Sequence, residues 1–474
     1  MFDKPSSSIL SLLIWISLLF TVNSLTAQQD SVTVSEIILE GNRRTKEQTI
    51  LREMDLKRGD KIAVSDITAV LETNRLQLLN TGLFILVKIN IKDWDEEVDR
   101  IKLAITFQEN WFIYPAPIFE LADRNFNVWW TQQNASLSRV NFGIRFTHIN
   151  LTGRRDRLKA VVQFGFTRKF ELAYNLPTIG NNPNWGLIGE AFFADNKDIG
   201  FKTVDNVLQF DRFEDRVLLR RFRFGGGVSY RKGIFHFHTA KINYHRNDID
   251  DFVIKELNEN YFLNGATRQE LFYFSYNYTF DNRDFKPYPW KGQLLSVTFE
   301  KEGFGIFKDR NGMYLTTSYA KYFPFSKKLS LETIGKTRVA LLRGTQPYNN
   351  YWALGYEDDF LSGYEFFVID GLDYFYLKTS LRYQLFNKEI NWRKMMLIPQ
   401  FRVMPLQIYL SLNNDTGIVN DNQFSDLNSF GNRWLYGGGL GLDFVFYNDK
   451  IVQFQYSVNH LGQNALFLHY QFNF

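Results

Sequence analysis

The chain carries six histidines, and His236 and His238, two apart, are its one pair with metal-like spacing. On a strand they share a face, as two ligands of one ion must; the plainer reading makes them wall residues of that strand. No H-E-x-x-H, G-x-S-x-G or phosphate-loop pattern occurs in the sequence. The triplets Gly225–Gly227 and Gly437–Gly439 lie inside alternating segments, where glycine allows bending or close packing rather than phosphate binding. No nucleophile and base stand together. The chain therefore reads as a non-enzyme, without metal or cofactor.

A different stretch holds the sequence's interest. Leu361–Gly371 reads LSGYEFFVIDG and lies in a turn-rich segment, Gly344–Asp373. Phe360, Leu361, Tyr364, Phe366, Phe367, Val368 and Ile369 would seek burial. A long loop with such side chains usually folds back onto its own protein and is often functional. The expectation is that it tucks into the lumen of a membrane barrel.

The elements around it support a barrel. The chain has 474 residues, 17% aromatic, with 46 Phe, 24 Tyr and no Cys. Its mean hydropathy is -0.27, too low for a bundle of membrane helices. Strands apolar on one face, with aromatic girdles, fit this composition. The net charge of +4 comes without a concentrated basic stripe, so nucleic acid is not an expected partner. Residues 1–27 read as a secretory signal, with Lys4, an apolar core Ile9–Val22 and Ala27. Residues 31–110 follow as a small α+β domain in the order βααββ.

From 111 to 474 the chain alternates with period two in segments of about ten residues. Phe272, Phe274, Tyr276, Tyr278 and Phe280 oppose Ser275, Asn277 and Thr279. About sixteen antiparallel strands result, with 186–210 taken as one long strand. The last has Leu466, Leu468, Tyr470, Phe472 and Phe474 on one face. The fold class is an all-β transmembrane barrel preceded by one small domain.

Ile38-x-x-Gly41-Asn42, Thr45, Ile50-Leu51-Arg52 and Asn80-Thr81-Gly82-Leu83-Phe84 make the small domain resemble a polypeptide-transport-associated (POTRA) domain. A small sheet with a free edge can accept a peptide by strand addition; a periplasmic spacer is the other reading. In the barrel, Asn150-Leu151-Thr152-Gly153 and Asp281-Asn282-Arg283-Asp284 with Pro287, Pro289 and Gly292 resemble turns of the BamA/TamA (bacterial surface antigen) family of outer-membrane assembly proteins.

The resemblance implies an outer-membrane location with the small domain in the periplasm. It implies ATP-independent assembly or translocation of unfolded outer-membrane or exported polypeptides, with membrane lipids and lipoproteins as further partners. It makes Ser362, Gly363, Tyr364, Glu365, Asp370 and Gly371 the motif of a sixth extracellular loop folded into the lumen, with Asp443 as a wall partner. It makes Asp281, Arg283, Asp284, Pro289 and Gly292 a periplasmic turn motif, and Leu468, Tyr470, Phe472 and Phe474 a terminal barrel signal. The family has Arg-Gly-Phe or Arg-Gly-Tyr where this chain has Ser362-Gly363-Tyr364. That departure, and the single small domain, leave an accessory subunit or plugged pore as the alternative.

Overall fold

The computed structural model describes residues 30–121, 126–180, 182–213, 216–307, 310–356, 359–396, 402–447 and 450–472. The expected signal and Phe474 lie outside them, as does the side chain of Phe472.

The small domain runs β1 (Ser31–Glu40), α1 (Glu47–Arg52), β2 (Lys61–Ala63), α2 (Ile67–Leu79), β3 (Phe84–Asp95) and β4 (Arg100–Glu109). The expected βααββ order gains β2 between the helices, a strand too short to leave an alternation in the sequence. Sheet order is β2-β1-β4-β3. Val32, Val34, Ile101, Leu103 and Ile105 alternate along β1 and β4 and meet Ile50 of α1, Met54 just beyond it and Leu78 of α2 in one buried core. β3 lies at the edge of this sheet, with no strand beyond it among the described residues.

The barrel strands are β5 (Ile113–Leu121), β6 (Val140–Ile149), β7 (Arg157–Gly165), β8 (Thr167–Leu176) and β9 (Trp185–Asn196). A hairpin, β10 (Asp198–Val204) and β11 (Val207–Arg212), interrupts the series. It resumes with β12 (Leu219–Lys232), β13 (His236–Ile249), β14 (Arg268–Asp281), β15 (Gly292–Glu302), β16 (Gly312–Pro324) and β17 (Leu329–Ala340). A short pair, β18 (Trp352–Leu354) and β19 (Ile369–Asp370), lies in the next loop. β20 (Asp373–Asn391), β21 (Val403–Asn420), β22 (Leu435–Phe446), β23 (Lys450–Asn459) and β24 (Asn464–Phe472) complete the sheet. Among the described residues sixteen strands are hydrogen-bonded in chain order from β5 to β24.

β23 shows the physical basis of the pattern. Phe454, Tyr456 and Val458 are 45%, 52% and 41% exposed, while Gln455, Ser457 and Asn459 are at most 5% exposed. The apolar side chains face out and the polar ones face a lumen, the reverse of a water-soluble barrel. His236 and His238 join the outer belt: their Nδ1 atoms lie 2.9 Å and 2.8 Å from the hydroxyls of Tyr278 and Tyr276.

The expected long strand 186–210 is corrected. β9 ends at Asn196, and β10–β11 is a separate two-stranded sheet. Asp205 and Asn206 both have positive φ, 51° and 61°, the geometry of a tight two-residue hairpin turn. Because the hairpin stays out of the barrel ladder, the strand number remains even.

That hairpin helps close the end of the barrel far from the small domain. The Asn206 N–H donates to Asn428 Oδ1 at 3.0 Å, and Asn206 O accepts from the Val368 N–H at 2.8 Å. Asn206 Oδ1 accepts from the Phe430 N–H at 3.1 Å. The buried Arg139 guanidinium lies between the Phe166 and Phe210 rings, 4.7 Å and 4.6 Å away, and pairs with Asp198. Ile199, Leu218, Val253, Ile254, Tyr261 and Tyr348 form an apolar cluster among these loops.

Candidate functional site

The loop after β17 enters the lumen and lies on the inner wall of β21–β24. Leu361, Ser362, Tyr364, Glu365, Ile369 and Asp370 are all at most 5% exposed. Ser362 donates from its N–H (2.9 Å) and its Oγ (2.8 Å) to Asp415 Oδ2 on β21. Gln455 Nε2 donates to Ser362 Oγ at 2.9 Å, and Asn459 Nδ2 donates to Gly363 O at 3.0 Å, both from β23. The Tyr364 hydroxyl meets His460 Nδ1, and the ring packs edge-on against Phe430. Phe366 packs on Phe467, and Phe360 stacks on His469 at 5.0 Å, both on β24.

Two glycines let the loop come this close. Gly363 has φ +82°, and a Cβ there would stand 2.7 Å from Asn459 N. A Cβ on Gly437 would stand 1.8 Å from Ser362 O. Gly371 packs against Val419, and Asp370 accepts from the Tyr356 hydroxyl at 2.6 Å.

Asp443 is not the wall partner of Ser362. In the β21–β22 register Asp415 sits opposite Gly437, and Asp443 sits opposite Tyr409. Six residues of strand separate 437 from 443, about 20 Å, so Asp443 lies at another depth. There it meets the turn motif. Tyr288, from the turn between β14 and β15, donates its hydroxyl to Asp443 Oδ2 at 2.8 Å. Its ring stacks on Tyr409 at 4.4 Å, and the Arg382 guanidinium lies 4.4 Å from its centre. Arg382 pairs with Glu332 and donates to Pro289 O at 3.4 Å.

Arg283 binds Asp281 through Nε at 2.8 Å and Nη2 at 3.0 Å. Asp284 Oδ1 accepts from the Trp290 N–H at 2.9 Å. Gly292 takes φ +103°, where a Cβ would stand 2.6 Å from Asn282 O. The motif thus folds a turn whose tip, Tyr288–Pro289, enters the barrel from the small-domain side and meets wall residues Asp443, Tyr409 and Arg382. Tyr288→Ala is expected to raise single-channel conductance in planar bilayers while leaving folded yield unchanged. Equal conductance would show that the ring does not block the passage.

The small domain is fastened to the same end. Asn80 donates to Asp284 O at 2.8 Å and accepts from the Lys286 N–H at 3.0 Å. The Asn150–Gly153 turn docks on α1: Thr49 Oγ1 donates to Gly153 O and Asn150 Nδ2 to Thr45 Oγ1, at 3.0 Å and 2.9 Å. Glu53, 4% exposed, pairs with Arg52, Arg155 and Arg231 at 2.8, 3.3 and 2.6 Å. Two of these partners, Arg155 and Arg231, lie far from Glu53 in sequence, and no short motif announces them.

The last element of the site is the seam. Among the described residues no ladder joins β5 to β24, the two ends of the sheet. Leu466 and Tyr470 face outward, 60% and 64% exposed, Leu468 is half-buried on the same face, and Phe467 is buried inward. The loop therefore grips one side of the seam, through Phe467 and His469.

Comparison with known proteins agrees with this architecture. Residues 32–110 match the family model described as POTRA, surface antigen variable number repeat, and residues 150–382 match the Omp85 superfamily domain. No curated protein matches the sequence significantly. Among solved structures the fold resembles BamA from Haemophilus ducreyi lacking POTRA domains 1-3, at 13% identity and a TM-score of 0.50, over 93% of this chain and 84% of that one. It also resembles CdiB from Escherichia coli, at 12% identity and a TM-score of 0.51, over 94% and 91% of the two chains. The chain thus joins a POTRA domain, residues 32–110, to a sixteen-stranded barrel that carries an Omp85 superfamily domain, residues 150–382.

Proposed function

We propose that this protein helps insert barrel proteins into the outer membrane, without ATP, its POTRA domain facing the periplasm. The seam between β5 and β24, which no ladder bridges among the described residues, carries the reading. A strand edge in lipid has backbone groups that water cannot satisfy, so it is a template for the strand of another chain. On the periplasmic side, the β3 edge of the POTRA domain offers a second place for an unfolded chain to add as a strand.

The elements lodged at both ends of the lumen argue for a lateral route over export through the barrel. The loop at Ser362 and the cap around Asn206 obstruct one end, and Tyr288 and the docked POTRA domain obstruct the other. The same closure supports the second reading, an accessory subunit or plugged pore. Depletion separates them: levels of several outer-membrane barrels are expected to fall, together with the rate of barrel folding into vesicles carrying the protein. Unchanged levels of every barrel would leave the accessory reading standing.

A further inference from the structure

We infer that the short helix α3 (Phe126–Thr131) is a built-in occupant of the β24 edge, which an incoming client strand displaces. The inference rests on the reading that the seam accepts strands. α3 follows β5 in the chain, yet it reaches across to the other side of the seam. Asn127 Nδ2 donates to Leu466 O at 2.7 Å, so a side-chain amide takes a main-chain acceptor of the terminal strand. Val128 is 2% exposed, which seats the helix against the protein. Phe126 and Trp130 stack at 5.8 Å on its other side and are 41% and 59% exposed.

That exposed aromatic surface flanks Asn127 on the helix and suits the membrane interface, where such rings concentrate. A side-chain bond to β24 thus holds the helix at the seam. A client strand would offer a ladder of backbone bonds along β24 in place of that amide, so exchange favours the client. On the lumen side, Phe366 and Phe360 keep β24 fixed while its edge changes partner.

The sequence contains no cysteine, so an engineered pair reports alone. Asn127→Cys with Leu466→Cys, in the full-length protein in lipid vesicles, is expected to crosslink on oxidation without client. Adding an unfolded outer-membrane barrel should lower the yield several-fold, and an unfolded soluble protein should not. No crosslink without client overturns the proposal, as does a yield indifferent to the barrel client. Whether that client still folds in the same vesicles tells separately if the assembly reading falls too. A photoreactive residue at position 127 gives the same readout should the cysteine pair fail to fold.

Discussion

A single methyl group at position 437 is expected to dislodge the lumen loop. In Gly437→Ala the new Cβ would sit 1.8 Å from Ser362 O and 3.4 Å from Val458 O. Both are backbone atoms, so no rotamer change relieves the contact, and the loop must lift from the wall. Lifting breaks both bonds from Ser362 to Asp415, the Gln455 bond to Ser362 and the Asn459 bond to Gly363.

Asp415, Gln455 and Asn459 are each at most 5% exposed. A buried polar group left without its partner costs about 1–3 kcal/mol, so the variant should lose several kcal/mol, less whatever lumen water restores. The readouts are protease cleavage within residues 360–371 in intact membranes and the temperature of the heat-dependent gel shift. Gly335→Ala is the control, since a Cβ there meets nothing closer than 3.9 Å. If the two variants behave alike, the loop is not held by this contact.

The same contact explains how a serine can hold this loop to the wall. A short side chain cannot cross a gap to a wall carboxylate, so the backbone itself must come to the wall. Gly437 makes that approach possible, and Ser362 then binds Asp415 with its N–H as well as its hydroxyl. Two neutral donors on one carboxylate oxygen replace the charge-assisted pair that a guanidinium would form.

What was legible in the sequence followed from periodicity. Alternation with period two is a local property, so the strands and the inward and outward faces of β23 and β24 could be read residue by residue. The apolar content of 360–369 likewise announced a buried loop. Depth was not legible. Asp415 and Asp443 both point into the lumen from adjacent strands, and only the register assigns Ser362 to the first and Tyr288 to the second. The 198–212 hairpin was hidden because its strands alternate like those of the barrel, and Asp205-Asn206 carries a turn signal without saying which sheet it serves. The seam is a ladder missing among the described residues, and such a gap leaves no mark in either strand's sequence.

Glu53 poses the opposite case, a residue with no sequence signal and a large expected effect. Burial alone would push its carboxyl up, but Arg155, Arg231 and Arg52 outweigh burial and hold it well below the usual carboxylate range. A depressed value means that its contribution is fully present above the unfolded carboxyl's pKa, about 4.3. It is lost only as pH falls through the lower folded value. The clamp should therefore be insensitive to pH from 5 to 8.

Removing the charge at neutral pH is another matter. Glu53→Gln keeps the shape but leaves three guanidiniums facing one another without a counter-charge. Breaking a buried pair from one side costs about 3–5 kcal/mol. The cost falls on docking, because Arg155 and Arg231 belong to the barrel and Glu53 to the POTRA domain. The expected result is a barrel that keeps its heat-dependent gel shift while trypsin releases the POTRA domain at least tenfold faster. A POTRA domain that stays equally protected would place the hold in Asn80 and the Asn150–Gly153 turn instead. Since Asn80 also grips the backbone of the turn that carries Tyr288, loosening the domain should open the small-domain end of the lumen as well, so the released variant should conduct more than the parent protein.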